Sequence, residues 1–138
     1  MLVLRFENKD GKGYFRSGDD YKISNLLGRK DYDYHPYDPH RMPSPSSEKM
    51  DYGREHFFGF ENWDQMNKSF RSKVRKLINK HCSSKLTVYK IHKNKVIKTK
   101  SQVAFIREKA ELVYRGRANL SKKELQERLL KINSKYKL

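Results

Sequence analysis

The sequence predicts an α+β fold: a small, mostly antiparallel sheet, a central helix packed on it, and a basic C-terminal helix. Three observations support this class. Short apolar stretches have the alternation of strands, residues 63–80 have helical periodicity, and a second capped helical pattern lies near the C-terminal end. A chain of 138 residues fits a single domain, residues 1–138, and its 9 Tyr and 7 Phe supply apolar surface for a small core.

Alternation and β-branched content predict the strands. In residues 2–7 every second side chain is apolar, which indicates a strand with one buried face. Residues 86–91 are mostly apolar, so we expect this strand at the centre of the sheet. Residues 108–113 fit either a strand or a helix, and residues 21–27 predict a short helical turn. The remaining predicted strands cover residues 57–60, 96–97 and 102–106.

The central helix is predicted from its start signal and its apolar face. Asn62 with Gln65 three residues later is typical of a helix N-terminus, because the side chains can satisfy free backbone N–H groups. The apolar residues at helical spacing are Trp63, Met66, Phe70, Val74, Leu77 and Ile78. The opposite side carries a basic stripe made of Lys68, Arg71, Lys73, Arg75, Lys76 and Lys80.

A second helix is predicted over residues 119–138. Ser121 and Glu124 have the spacing of a capping box, and Leu120 with Leu125 fits the hydrophobic staple that accompanies it. The predicted apolar face of this basic C-terminal helix consists of Leu125, Leu129, Ile132 and Tyr136.

Two segments between these elements predict turns or loops. Gly11 and Gly13 indicate a hairpin turn, since neither a Walker nor a dinucleotide spacing is present. Residues 30–56 contain all four prolines and four tyrosines, which predicts a long Pro/Tyr-rich loop. Its Asp33, His35, Asp38 and His40 lack an established ligand spacing, so we predict no metal site.

The charge is distributed unevenly along the chain. The formal net charge is +16; residues 1–66 carry 10 Lys/Arg and 12 Asp/Glu, whereas residues 67–138 carry 22 and 4. Such a positive field attracts polyanions. It predicts nucleic acid, a nucleotide or an acidic protein surface as the partner, although a lysine-rich surface can also serve solubility alone.

Several classes of function are disfavoured. The single cysteine, Cys82, excludes an internal disulfide and indicates a reducing compartment, and its sequence neighbour His81 does not by itself make a nucleophile pair. We expect a cytoplasmic protein with no signal peptide and no membrane partner, because no apolar stretch is long enough for either. No cofactor and no catalytic residue are predicted. The few acids after residue 66 make no convincing nuclease pair; they are Glu108, Glu111, Glu124 and Glu127.

Five short motifs carry a family resemblance. In chain order they read LVLRFENKDGKGYFR, HPYDPHRMPSP, HFFGFENWDQM, LTVYKI and SQVAF. Together they resemble a group of small uncharacterised bacteriophage accessory proteins over about residues 1–110. This resemblance implies a phage-encoded protein in the host cytoplasm, with counter-defence among the roles to be expected of it.

A weaker likeness is to the ADP-ribosyltransferase fold. There, residues on the first strand, an aromatic strand entering a helix and a late acidic residue surround NAD. By order, Arg5 matches the first motif and Phe60 with Asn62 the second, so the likeness implies a pocket of Arg5, Phe60, Asn62 and Gln102. Gln102 stands where the transferases have a carboxylate, and a neutral amide stabilises a developing cation poorly. The likeness therefore implies binding rather than transfer.

The leading hypothesis is a non-enzymatic, phage-encoded binder of a phosphate-rich ligand, either nucleic acid or a nucleotide signal, that modulates or inhibits a host system. The first alternative is a protein-interaction inhibitor of a host defence or nucleic-acid enzyme, and the second is an ADP-ribosyltransferase-like enzyme. The oligomeric state is left open. The predicted phosphate contacts are Lys68, Arg71, Lys73, Arg75, Lys76, Lys80, Arg115 and Arg117.

Overall fold

The computed structural model describes residues 1–14, 16–27 and 56–138, and these have the predicted α+β architecture. Short 3-10 helices cover Lys93–Lys95 and Arg107–Lys109. The elements of the described residues follow in the order β1 (Leu2–Glu7), α1 (Asp19–Leu27), β2 (His56–Gly59), α2 (Trp63–Ser69), α3 (Ser72–His81), β3 (Lys85–Lys90), β4 (Val96–Lys98), β5 (Val103–Ile106), β6 (Glu111–Gly116) and α4 (Lys122–Ile132).

The strands form two antiparallel sheets, ordered β1-β3-β6 and β2-β5-β4. β3 is central in the first sheet, which confirms the prediction for this segment. The sheets meet where Leu4 and Phe60 exchange two backbone hydrogen bonds of 2.8 Å each. Gly59 permits this approach, since a Cβ there would lie 2.6 Å from the Leu4 carbonyl oxygen. The junction places β2 beside β1.

β1 is buried on both faces, so the prediction of a half-buried strand is wrong. On one face Leu4 and Phe6 belong to the larger core, which contains the inner faces of the helices. On the other face Val3 packs with Tyr89 and Phe105 in a smaller core. The second sheet covers this face, and alternation within β1 carries no sign of that cover. Even charged side chains of β1 are therefore buried.

The predicted central helix is two helices, α2 and α3, that break at Phe70. The predicted N-cap is confirmed, because Asn62 Oδ1 accepts from the Gln65 N–H at 2.9 Å. At the break, the Arg75 guanidinium donates to the carbonyl of Phe70 at 2.7 Å and to Asn67 Oδ1 at 2.6 Å. The first bond satisfies a backbone carbonyl that the end of α2 leaves free, and the second holds the Asn67 side chain. Arg75 is only 6% exposed, so its predicted place on the exposed stripe is wrong.

α4 begins as predicted and ends earlier. Ser121 and Glu124 form the reciprocal capping box, and the staple residue Leu120 is buried. The helix stops at Ile132 rather than continuing to residue 138. Ile132 is 50% exposed and Tyr136 lies beyond the helix end, so the apolar face is shorter than predicted.

Three remaining predicted segments have different boundaries in the structure. Residues 108–113 divide between the second 3-10 helix and β6, and the predicted turn at residues 21–27 is part of the longer α1. Residue 56 of the predicted loop 30–56 begins β2; residues 30–55, with the Asp33, His35, Asp38 and His40 set, lie outside the described residues. In the described part of the chain, no helix has the length and apolar character needed to cross a bilayer.

Candidate functional site

The helix stripe, defined as Lys68, Arg71, Lys73, Lys76 and Lys80, follows α2 and α3. Lys73, Lys76 and Lys80 are three and four residues apart, so they lie on one side of α3. All five side chains reach the surface, although Arg71 only in part. Residues 72–81 contain no acid. Lys73, Lys76 and Lys80 therefore form a cationic side of α3, whose opposite side is fixed in the larger core, and Lys68 and Arg71 precede them along the chain.

Arg75, predicted as part of this surface, instead supports it from within. Its guanidinium lies 4.8 Å from the centroid of the Trp63 ring and holds the end of α2 through the bonds described above. Burial lowers the pKa of Arg75. The side chain fixes the relative position of α2 and α3, and thereby the position of Lys68 on α2 relative to the lysines of α3.

Arg115 and Arg117 do not continue the helix stripe. In the register of the first sheet, Arg115 lies opposite Thr87, which lies opposite Arg5. Directly paired residues share a face, so Arg115 lies on the face of the sheet away from the helices. Arg117 follows β6 and pairs with Glu124 at 3.4 Å. Of the eight predicted phosphate contacts, Arg75 is thus buried and Arg115 lies on a different side of the molecule from the helix stripe.

A charged network lies on this second face of the sheet. Glu7, which is fully buried, accepts from Arg5 Nε at 2.9 Å and from Arg107 Nη2 at 3.1 Å. The hydroxyl of Tyr89 also donates to Glu7 and accepts from Arg107 Nε at 3.0 Å. Burial, and after it the bond to Glu7, raises the pKa of the Tyr89 hydroxyl. The bond from Arg107 lowers this pKa but does not cancel the rise.

Sequence reasoning missed this network. Arg5 and Glu7, two residues apart on one strand face, were a visible signal for a charged pair. Arg107 is 100 residues away from Glu7 along the chain, and nothing in its local pattern connects the two.

The predicted pocket residues Arg5 and Phe60 lie on opposite faces of the first sheet. Each of the three Arg5 nitrogens donates within the protein: Nε to Glu7, Nη1 to the Phe58 carbonyl at 2.7 Å and Nη2 to the Gly11 carbonyl at 3.3 Å. Burial lowers the pKa of Arg5, which Glu7 partly offsets. Phe60 instead packs in the larger core.

The other two pocket residues have local structural roles. Asn62 caps α2, as described, and its side chain is exposed. Gln102 is buried at the start of β5, and its carbonyl accepts from the Thr99 hydroxyl at 3.0 Å. The structure therefore does not bring all four predicted pocket side chains to one cavity.

Cys82 lies at the end of α3 beside Asp19. Burial, followed by the charge of Asp19, raises the pKa of the thiol to about 12. Since the thiolate is the reactive form, at about pH 8 we expect Cys82 to react with a disulfide reagent roughly three orders of magnitude more slowly than a free cysteine. Denatured protein, in which this surrounding is lost, serves as the control. A native rate equal to the denatured rate would contradict the buried, protonated thiol.

The fold and surface define a small α+β protein with a cationic helix side and a separate charged network. Within residues 1–14, 16–27 and 56–138, no three His, Cys, Asp or Glu side chains are grouped so that they could hold a metal ion.

A family model described as "Bacteriophage T4 Y00F protein" matches residues 1–119, and the chain belongs to this phage family. The match supports the phage resemblance of the sequence motifs and ends before α4. No curated protein and no solved structure matches the chain.

Proposed function

We propose that this phage protein is a non-enzymatic binder of a phosphate-rich ligand, nucleic acid or a nucleotide signal, and that it modulates a host system in the host cytoplasm. The helix stripe is the observation that carries the proposal. It presents Lys73, Lys76 and Lys80 on one side of α3, with Lys68 and Arg71 before them along the chain, and residues 72–81 contain no acid. On a protein of net charge +16, this side is suited to a polyanion.

The chemistry of the stripe favours phosphate contacts without sequence readout. Lysine is a flexible point charge, so it neutralises phosphates but does not select base edges. Because each neutralised phosphate releases counterions, affinity should fall steeply with salt concentration. The inner side of α3 is held by Val74 and Ile78 in the larger core, so the charges stand on a fixed support.

Reversing two charges of the stripe tests the proposal. We expect the Lys76→Glu/Lys80→Glu variant to bind labelled DNA or RNA at least about tenfold more weakly, with a salt dependence shallower by about two units, because two phosphate contacts are lost. Fluorescence anisotropy at several salt concentrations measures both quantities. Both side chains are exposed, so the fold should be retained.

A matched control is the Lys93→Glu/Lys95→Glu variant, which makes the same charge change in the exposed 3-10 helix. We expect it to lower affinity much less. Equal losses in the two variants would show that only net charge matters and would overturn the assignment to α3. Arg75 is unsuitable for such a test, because reversing a buried charge would unfold the helix junction.

The two alternative functions depend on different parts of the protein: the inhibitor on the helix stripe and the transferase-like enzyme on the predicted pocket. An acidic host protein could occupy the helix stripe, and the protein would then be an inhibitor, with counter-defence as its role. A host protein that is retained from lysate after nuclease treatment, and lost in the stripe variant, would favour this function. For the ADP-ribosyltransferase-like alternative, Arg5 is engaged within the fold and Gln102 lacks the carboxylate, so no observation favours it.

A further inference from the structure

The network around Glu7 contains more positive than negative charge. Two guanidinium groups, those of Arg5 and Arg107, share a single carboxylate. Among the residues that the structure describes, Glu7 is the one acid within ion-pair distance of either arginine. Arg5 is 7% exposed, whereas the Arg107 side chain is 36% exposed. The surplus positive charge therefore lies at the surface end of the network, on Arg107.

Arg107 is held in one position from several sides. Its Nε and Nη2 donate inward, to the Tyr89 hydroxyl and to Glu7. Nη1 lies directly above Gly11, where a Cβ would overlap it. The guanidinium carbon is 5.8 Å from the centroid of the Phe57 ring. No hydrogen bond from Nη1 is present in the described part of the chain, so this nitrogen can donate to a ligand.

Two further cations belong to the same surface. Lys85 lies directly opposite Glu7 in the pairing of β1 and β3, and it is exposed. Arg115 is exposed two pairs along the sheet and donates to the Asn8 carbonyl at 3.5 Å. Both residues lie on the face of the first sheet that carries Glu7, to which Arg107 donates. This surface is on the side of the first sheet away from the helix stripe.

We propose that Arg107, Lys85 and Arg115 form a second anion site, which binds a phosphate group of a nucleotide or of a nucleic-acid strand. Arg107 is the anchor: a guanidinium already fixed by Glu7 and Tyr89 loses little freedom when it donates to a phosphate oxygen. Lys85, paired with Glu7, and Arg115, paired with Thr87, add positive charge on the same face of the first sheet. The site is separate from the helix stripe and does not depend on it.

The direct test follows Arg107 itself. Inorganic phosphate and, separately, a short single-stranded oligodeoxynucleotide are titrated into the protein while heteronuclear NMR records the arginine Nε–Hε signals. We expect a saturable shift of the Arg107 signal. A shift with phosphate alone assigns a single-phosphate site, and a shift with the oligonucleotide alone assigns the phosphate to a strand. No shift with either probe overturns the proposal.

Two glycine substitutions provide a matched pair of variants. Gly11 and Gly18 both have positive φ angles, +79° and +83°, so alanine strains the backbone at either position. A Cβ at Gly11 would displace Arg107, whereas a Cβ at Gly18 meets no atom within 4 Å. We expect Gly11→Ala to weaken binding of the probe that shifts Arg107 by about tenfold, the effect of losing a charge-assisted hydrogen bond. Gly18→Ala should leave it unchanged.

Equal binding by the two glycine variants would overturn the role of Arg107. Failure of this proposal is distinguishable from failure of the proposed function. The Lys76→Glu/Lys80→Glu variant should retain the Arg107 shift while its polyanion affinity falls. An Arg107→Gln variant, compared with Lys109→Gln on the same 3-10 helix, should show the reverse: weaker binding of the probe that shifts Arg107, while the part of polyanion binding that depends on Lys76 and Lys80 is retained.

Discussion

Replacing Glu7 with glutamine is expected to lower the free energy of unfolding by about 3–5 kcal/mol, the usual cost of leaving buried charge unpaired. Glu7 has no exposed surface, and its carboxylate balances Arg5 and Arg107. Glutamine has nearly the same shape, so the loss would come from charge rather than packing. Urea unfolding measures it as a lower midpoint at unchanged m-value.

A double-mutant cycle with Arg5→Met separates this effect from general damage. Removing both partners leaves less uncompensated charge than removing either, so the Glu7→Gln/Arg5→Met variant should lose less stability than the sum of the single variants. The bonds of Arg5 to the Phe58 and Gly11 carbonyls are lost as well, so recovery will be partial. Strict additivity would mean that the pair does not interact.

The Phe70→Ala variant is expected to lose about 3–5 kcal/mol of stability, as large aromatic deletions in cores do. Phe70 is 2% exposed. Its ring centroid lies 4.8 Å from those of Phe6 and Tyr14 and 5.8 Å from that of Phe60. The ring joins the helix break to β1 and to the end of β2, so its loss would leave a cavity at the point where these elements meet. Thermal or urea unfolding measures the change.

Leu26→Ala is the control for this prediction. Leu26 is 47% exposed on α1, and exposed substitutions of this kind change stability by only about 0.5 kcal/mol. A loss below about 1 kcal/mol for Phe70→Ala would contradict the central place of its ring in the larger core.

The parts of the fold that the sequence predicts well depend on neighbours along the chain. Alternation locates β1. The caps Asn62 and Ser121 mark the starts of α2 and α4, because each cap accepts a hydrogen bond from a backbone N–H only three residues later. The match to a phage family likewise agrees with motifs that are short and local.

The parts that were wrong depend on distant contacts. The apolar spacing of a helix continues through Phe70 without interruption, so the sequence gives no sign of a break there. The break is stabilised by the buried Arg75 guanidinium, and no spacing shows that this side chain is buried. Similarly, alternation in β1 cannot show that the second sheet covers Arg5 and Glu7. The candidate site shares this limit: the lysines of α3 are visible from their spacing, whereas Arg107 joins Glu7 only in the folded chain.

The most direct measurement of the central claim is fluorescence anisotropy of labelled single- and double-stranded DNA and RNA, titrated with the protein at several salt concentrations. The cations of the helix stripe predict binding at low salt and a log–log slope between about −2 and −4, since three to five phosphates would be neutralised and each contributes somewhat less than one unit. Absence of binding at low salt to all of these nucleic acids, or a slope near zero, would contradict binding of nucleic-acid phosphates by the helix stripe.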